Sequence, residues 1–144
     1  MVDVTQKDVT HREAVATGLV KMSSTTRDLV VARSLEKGDA LEVARIAGIM
    51  AAKRTADLIP LCHPIGIGGV EVNLSAVADG IAIVARVRTS ERTGVEMEAL
   101  TAVSVAALTL YDMVKGTERE VEITDVRLEE KSGGRSGLWT RPKS

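Results

Sequence analysis

The sequence predicts one α+β domain, in which helices cover one side of an antiparallel sheet. Three observations carry this prediction. Alternating apolar residues mark strands, apolar residues three and four apart mark helices, and their order along the chain is β-α-α-β-β-α-β. The 144 residues suffice for a single domain spanning residues 1–144, and no internal repeat divides them. We expect residues 131–144 to form a flexible loop and tail.

The first strand lies within residues 9–22, because four apolar residues there share one parity. These residues are Ala14, Ala16, Val20 and Met22. Ser23 and Ser24 then cap a short helix that runs through about Ser34 and carries Val30 inward.

Asp39 and Glu42 form a capping-box-like start for the next helix. We expect this helix to run to about Leu58, where Pro60 stops it. The glycine-rich residues 66–69 precede a strand instead of opening a helix, so they do not form a dinucleotide-binding motif and predict a loop.

Residues 70–76 and 81–87 alternate in polarity and predict a β-hairpin. Asp79-Gly80 between them is typical of a type I′ turn. A long apolar helix follows at 94–115, and residues 121–128 predict the last strand. This order is that of a ferredoxin-like βαββαβ sandwich with one additional helix. Val and Ile occupy strand positions of both parities, so we expect the second sheet face to be covered by another chain in an oligomer.

Composition excludes several classes of protein. Tyr111 and Trp139 are the only aromatic residues, too few for a surface that stacks nucleic-acid bases. The net charge of -1 argues against a protein that coats polyanions. The single cysteine, Cys62, excludes an intrachain disulfide and fits a reducing compartment. The N-terminal residues lack a signal-peptide pattern, so we expect a cytoplasmic protein with no membrane partner.

Cys62 and His63 form the densest pair of reactive side chains. One Cys and two His are too few for a zinc site unless carboxylates or a second subunit complete it. Adjacent side chains of an extended segment point apart, so we do not expect a thiolate–imidazolium pair. His63 lies between two prolines and is a candidate hydrogen-bond donor to an anion or a heterocycle. The alternative is a rigid loop in which Cys62 is simply buried.

Lys37, Asp112 and Lys115 are candidates for proton transfer. Lys37 precedes Gly38 at a helix start, a place that favours anions. Asp112 and Lys115 lie three residues apart, so they share a helix face and can form an acid–base pair. The alternatives are an ordinary solvated turn at Lys37 and an exposed ion pair at Asp112.

Glu96 and Glu98 open the long helix, where acidic side chains stabilise the positive end of the helix dipole. Glu98 and Asp112 are 14 residues apart. At the rise of an α-helix this is about 21 Å. If both residues serve catalysis, the ligand is long or a neighbouring subunit completes the site.

Residues 131–137 contain two cations, two hydroxyls and three glycines, a composition that suits a phosphate-binding loop. The same composition is typical of a disordered tail.

Seven distinctive segments follow one another in a specific order along nearly the whole chain. They are Met1–Val4, Lys37–Asp39, Ala47–Thr55, Leu58–Pro64, Thr93–Ala102, Tyr111–Met113 and Lys131–Gly137. In this order they resemble the MoaC family, the cyclic pyranopterin monophosphate synthases. Arg135 stands where Lys is frequent in the family, which keeps the charge but changes its geometry.

The resemblance implies a lyase of molybdenum cofactor biosynthesis. Its substrate would be 3′,8-cyclo-7,8-dihydroguanosine 5′-triphosphate, which it converts to cyclic pyranopterin monophosphate with release of pyrophosphate. The resemblance also implies a homohexamer, a trimer of dimers, with active sites at the dimer interfaces. It implies no resident cofactor or metal and no nucleic-acid partner, although Mg²⁺ can accompany the triphosphate or pyrophosphate.

The resemblance also assigns roles by position. Asp112 matches the catalytic acid of the family, and Lys37 and Lys115 match lysines of proton transfer. Substrate binding is implied for Leu61, Cys62, His63, Met97, Glu98, Glu96, Lys53, Lys131 and Arg12.

Two other classes of function stay open. One is a non-catalytic ferredoxin-like oligomer that senses a nucleotide. The other is a metal-dependent phosphohydrolase, although its carboxylate and histidine ligands cannot be assembled from this sequence. Proton-transfer groups distinguish the lyase from the sensor, which needs none.

Overall fold

The computed structural model describes all residues from 1 to 144 and contains nine elements. They are β1 (Thr10–Lys21), α1 (Ser24–Val31), α2 (Ala40–Ala52), α3 (Thr55–Leu58), β2 (Ile67–Val77), β3 (Gly80–Glu91), α4 (Glu96–Val114), β4 (Glu122–Ser132) and β5 (Trp139–Thr140). All neighbouring strands are antiparallel, in the order β2-β3-β1-β4-β5. β1 and β2 therefore run parallel with β3 between them, which is the split βαβ arrangement. The predicted fold class is confirmed.

The core lies between one face of the sheet and α4. Ala16 pairs with Ala85 and Val20 pairs with Ile81, and all four are fully buried. The parity predicted for β1 is therefore correct. The buried cluster contains only Ala, Val, Ile, Leu and Met, as the composition requires. These small side chains let α4 lie close to β1.

Small residues also bring α2 against α4. Ala40, Ala44 and Gly48 recur every four residues on one face of α2, and all three are buried. A Cβ atom at Gly48 would lie 2.9 Å from the carbonyl oxygen of Ala102, so the two backbones nearly touch. Because the helices are antiparallel, the start of α2 lies beside the end of α4, and the end of α2 lies beside its start.

The prediction that α2 continues to Leu58 is wrong. The helix ends at Ala52, and the short helix α3 follows from Thr55. The Thr55 hydroxyl donates hydrogen bonds to the carbonyl oxygens of Ala51 (3.3 Å) and Ala52 (3.0 Å). This side chain satisfies terminal carbonyls of α2 and so closes the helix.

Helix α1 begins as predicted and ends slightly earlier. The Ser23 side chain accepts a hydrogen bond from the Thr26 amide, which caps the helix. At the other end Arg33 has a left-handed φ of 56°. The Arg33 amide donates to Val30 O and the next amide donates to Leu29 O, which is the Schellman ending.

The predicted hairpin is confirmed, but its turn is not type I′. The two turn residues are Ala78 and Asp79, because Val77 pairs with Gly80. Neither has the positive φ that a type I′ turn requires. Gly80 is instead the first residue of β3, with a φ of 151°. A Cβ atom there would lie 2.0 Å from the carbonyl oxygen of Val20. The close approach of β1 therefore explains why residue 80 is a glycine.

Two predicted loops are partly strand. β2 begins at Ile67, within the glycine-rich segment, and its register shifts between Ile67 and Gly69. β4 continues through Ser132, and Trp139 in β5 pairs with Lys131. The prediction of loop and tail for 131–144 is therefore wrong for the residues in these two strands, because backbone pairing extends into them.

By length and composition, α4 is the one helix that could cross a membrane. Half of its apolar stretch is buried, and it packs on α2, β1, β3 and β4. Its apolar residues therefore serve the core of this fold.

We predict that Gly80→Ala destabilises the protein by about 1–3 kcal/mol or more, because φ becomes unfavourable and the new Cβ meets β1. Denaturant unfolding measures the change. The control is Gly69→Ala in β2, where a Cβ atom meets nothing within 4 Å. Equal stability of the Gly80 variant and wild type would contradict the explanation.

Candidate active site

The end of α4 carries a group of two lysines and one aspartate. Lys37 Nζ lies 3.1 Å from Asp112 Oδ2, and Lys115 Nζ lies 2.8 Å from Asp112 Oδ1. Lys37 also donates to the backbone carbonyl of Asp112 at 3.0 Å. The predicted helical pair therefore gains a third member from the turn before α2. All three side chains are about half exposed and can reach a ligand.

The lysines determine the protonation of this group. Hydrogen bonds from Lys115 and then Lys37 lower the pKa of Asp112 below its usual value. The hydrogen bond to Asp112 raises the pKa of Lys115 in turn. At neutral pH the group therefore holds a carboxylate and a protonated Lys115. In the free chain Lys115 is better suited to donate a proton than Asp112.

The start of α4 carries a cleft of about 270 Å³. Six predicted substrate-binding residues line it: Leu61, Cys62, His63, Glu96, Met97 and Glu98. A further wall comes from the N-terminal residues Val2, Val4 and Lys7, which were not among the predicted site residues. His63 Nε2 lies 2.8 Å from the carbonyl oxygen of Val2, so this wall is hydrogen-bonded to the histidine.

Glu98 is buried, with 4 % of its surface exposed. Burial raises the pKa of its carboxyl, and the neighbouring charge of Glu96 adds to the increase. Stabilisation of the helix dipole, the local interpretation of both glutamates, therefore misses the main property of Glu98. A carboxyl that can hold a proton in a cleft can both donate and accept hydrogen bonds.

Cys62 is not prepared for nucleophilic attack. Burial and the nearby Glu98 raise the pKa of its thiol, which keeps the thiol protonated at neutral pH. Cys62 is only partly buried, in contrast to a fully enclosed core cysteine. Its place in the cleft therefore supports contact with a ligand.

Two further clefts adjoin the first. Lys53 lines a cleft of about 100 Å³ that shares His63 and Glu98 with it. A larger cleft of about 440 Å³ shares Lys7 with it and is lined by no hydrophobic residue. The larger cleft also contains Arg12 and the 134–136 turn. It is therefore a cationic surface beside the first cleft.

Lys131 lies at the edge of this cationic cleft. Its ammonium group donates to the carbonyl oxygen of Gly133 at 3.3 Å and contacts the Ser136 hydroxyl. Thr10, which the sequence did not indicate, contributes a buried hydroxyl that has no hydrogen-bond partner. No signal in the strand pattern distinguishes it from its neighbours.

Within one chain, the candidate residues lie in two separate places. Lys37, Asp112 and Lys115 lie together at the end of α4, whereas His63 and Glu98 lie at its start. α4 is continuous over this stretch, and at the rise of an α-helix the 14 residues between Glu98 and Asp112 span about 21 Å. No group of three His, Cys, Asp or Glu side chains is arranged to hold a metal ion.

Comparison with known proteins decides the family. The sequence profile of the MoaC family matches residues 1–134. The chain belongs to the MoaC family.

Curated MoaC relatives match almost the full length of the chain. A protein of Streptomyces avermitilis named cyclic pyranopterin monophosphate synthase is 60% identical over 98% of this chain and 83% of its own length. One of Nocardioides sp. with the same name is 58% identical over 99% and 89%. Cyclic pyranopterin monophosphate synthase 2 of Mycobacterium tuberculosis is 56% identical over 98% and 84%. The resemblance found in the sequence is confirmed.

We predict that Glu98→Gln stabilises the protein at pH 7 by on the order of 1 kcal/mol. Burial raises the folded-state pKa of Glu98, so the folded state binds more protons than the unfolded state. The wild type therefore loses stability as pH rises from the ordinary glutamate value of 4.5 through the folded pKa. Glutamine does not titrate and avoids this loss.

Denaturant unfolding of both proteins between pH 4 and pH 8 measures the difference. The advantage of the glutamine variant should grow as pH rises. Glu122→Gln, which removes one exposed charge, is the control. A difference that is constant with pH would contradict the effect of burial on Glu98.

Proposed function

We propose that this MoaC chain converts 3′,8-cyclo-7,8-dihydroguanosine 5′-triphosphate to cyclic pyranopterin monophosphate and releases pyrophosphate, in molybdenum cofactor biosynthesis. The observation that carries the proposal is the Lys37–Asp112–Lys115 group in a chain that is 60% identical to named synthases. A nucleotide sensor would need no such group, and no observation favours that alternative.

The reaction needs proton donors and acceptors. Opening a ring aminal requires protonation of the departing nitrogen, and forming the cyclic phosphate requires removal of a hydroxyl proton. Lys115 is the donor of this proposal, because its ammonium group carries a proton at neutral pH and lies in the group with Asp112 and Lys37. The carboxylate of Asp112 holds both ammonium groups in place and is an acceptor for the hydroxyl proton.

The clefts at the start of α4 support binding of the rest of the substrate. The carboxyl of Glu98 and the imidazole of His63 offer hydrogen bonds to a guanine-derived ring. Lys53, Arg12 and Lys131 supply cations for the triphosphate, and they can stabilise the departing pyrophosphate. Mg²⁺ can accompany these phosphates.

The active site of this proposal contains residues of two chains. A separation of about 21 Å prevents the two ends of α4 from holding one reacting centre in the same chain. We therefore propose a homo-oligomer, specifically a hexamer built as a trimer of dimers, in which the start of one α4 meets the end of another.

The sheet face opposite the helices supports association. Val84 on this face is 38% exposed, and Glu13 there binds Arg86 and Arg88. Paired charges cost less to desolvate than isolated ones, so such a face tolerates burial. The free thiol of Cys62 suits a reducing compartment, and we propose a cytoplasmic enzyme.

We predict that Lys37→Ala and Asp112→Asn each lower kcat by about 10²–10⁴-fold, the usual loss when a proton-transfer group is removed. Mass spectrometry of the products formed from the cyclic dihydro-GTP derivative measures turnover. Glu36→Ala, beside Lys37 and exposed, is the control and should retain wild-type turnover. Full turnover by both site variants would refute the assignment of the group.

We also predict that two impaired variants complement each other. Asp112→Asn damages one end of α4 and His63→Ala damages the other. After subunit exchange, mixed oligomers contain some sites whose two halves are both intact. Turnover should therefore be higher in the mixture than in either variant alone.

Light scattering of the same samples gives the number of chains. A monomeric wild type, or an oligomer whose mixed variants show no gain in turnover, would contradict a site shared between chains.

A further inference from the structure

The loop that carries His63 is fastened to the end of β3 at Gly66. The Gly66 amide donates to Glu91 Oε1 at 3.1 Å, and the Thr89 hydroxyl donates to the Gly66 carbonyl oxygen. Thr89 and Glu91 are two residues apart on one strand, so both side chains lie on the same face. Together they hold both backbone polar groups of one residue, three positions after His63.

The same end of β3 holds the cationic cleft. Arg12 Nε donates to the Glu91 carbonyl oxygen at 3.0 Å, and Arg12 Nη2 donates to the Arg92 carbonyl oxygen at 3.3 Å. Arg92 Nε donates to the Lys7 carbonyl oxygen at 3.1 Å. The N-terminal wall, the cationic cleft and the His63 loop are therefore all hydrogen-bonded to residues 89, 91 and 92.

We propose that Glu91 and Thr89 are positioning residues, which set the place of the His63 imidazole by clamping Gly66. Glu91 acts through its acceptor oxygen and not through its charge, because its partner is a neutral amide. The proposal rests on the proposed function, in which His63 binds the substrate. Loss of the clamp lets the His63 loop move without removing any group that contacts the substrate.

Three variants test the clamp. Glu91→Ala removes the acceptor, Glu91→Gln keeps an acceptor oxygen without the charge, and Ser90→Ala changes the exposed residue between the two clamp residues. We expect Glu91→Ala to raise KM about threefold to tenfold, the effect of one hydrogen bond, with kcat unchanged. Glutamine and the Ser90 control should keep the wild-type KM.

Histidine ring signals in proton–carbon spectra of the free protein give a second readout. The chain has two histidines, His11 and His63, so a His63→Gln spectrum assigns the signal. The His63 signal should shift in Glu91→Ala and return to its wild-type place in Glu91→Gln. If Glu91→Ala disturbed the structure elsewhere, Glu91→Gln would not be expected to restore the His63 signal in this way.

Three results would overturn the clamp: a wild-type KM and His63 signal in Glu91→Ala, equal behaviour of Glu91→Gln and Glu91→Ala, or the same change in Ser90→Ala. Absence of turnover in the wild type would instead refute the proposed function. The ring signals would still decide whether Glu91 positions His63.

Discussion

Close packing of α4 against β1 and α2 is the constraint on which the rest of the structure depends. It requires small residues where the elements approach. A Cβ atom at Gly18 would lie 2.7 Å from Val103 Cγ1, and one at Gly48 would lie 2.9 Å from Ala102 O. Cores are packed as densely as organic crystals, so such contacts leave no room for adjustment. The continuous helix α4, with its packed face buried, then separates its two polar ends.

The carboxyl groups at the two ends of α4 have pKa values that are shifted in opposite directions. The helix dipole alone would lower the pKa of Glu98 near the start and raise that of Asp112 near the end. The shifts run the other way for both. Dipole effects are worth about 0.3–1 kcal/mol, whereas burying a charge costs several kcal/mol. Burial therefore prevails at Glu98, and two lysines prevail at Asp112. The pKa values of the two carboxyl groups are therefore shifted in opposite directions, each by its own surroundings.

Local patterns predicted much of the fold and part of the site. Apolar periodicity identified β1 and α4, and the spacing of Asp112 and Lys115 predicted their pairing. Contacts between distant segments explain what was missed. Gly80 meets the Val20 carbonyl, which no turn pattern reveals, and the burial of Glu98 depends on how α3 and the loop after it cover the start of α4. Backbone pairing with β5 likewise extends β4 beyond the predicted strand.

The polar clefts are held by regular elements more than by their own loops. Arg12 extends from β1, Glu98 from α4, and the His63 loop is fastened to β3 through Gly66. Binding groups keep their geometry best when strands and helices support them. A substrate with a ring at one end and three phosphates at the other needs the two clefts at a fixed position relative to each other. Antiparallel pairing of β1 and β3 fixes this position, because Thr10 lies opposite Glu91 and Arg12 lies opposite Thr89.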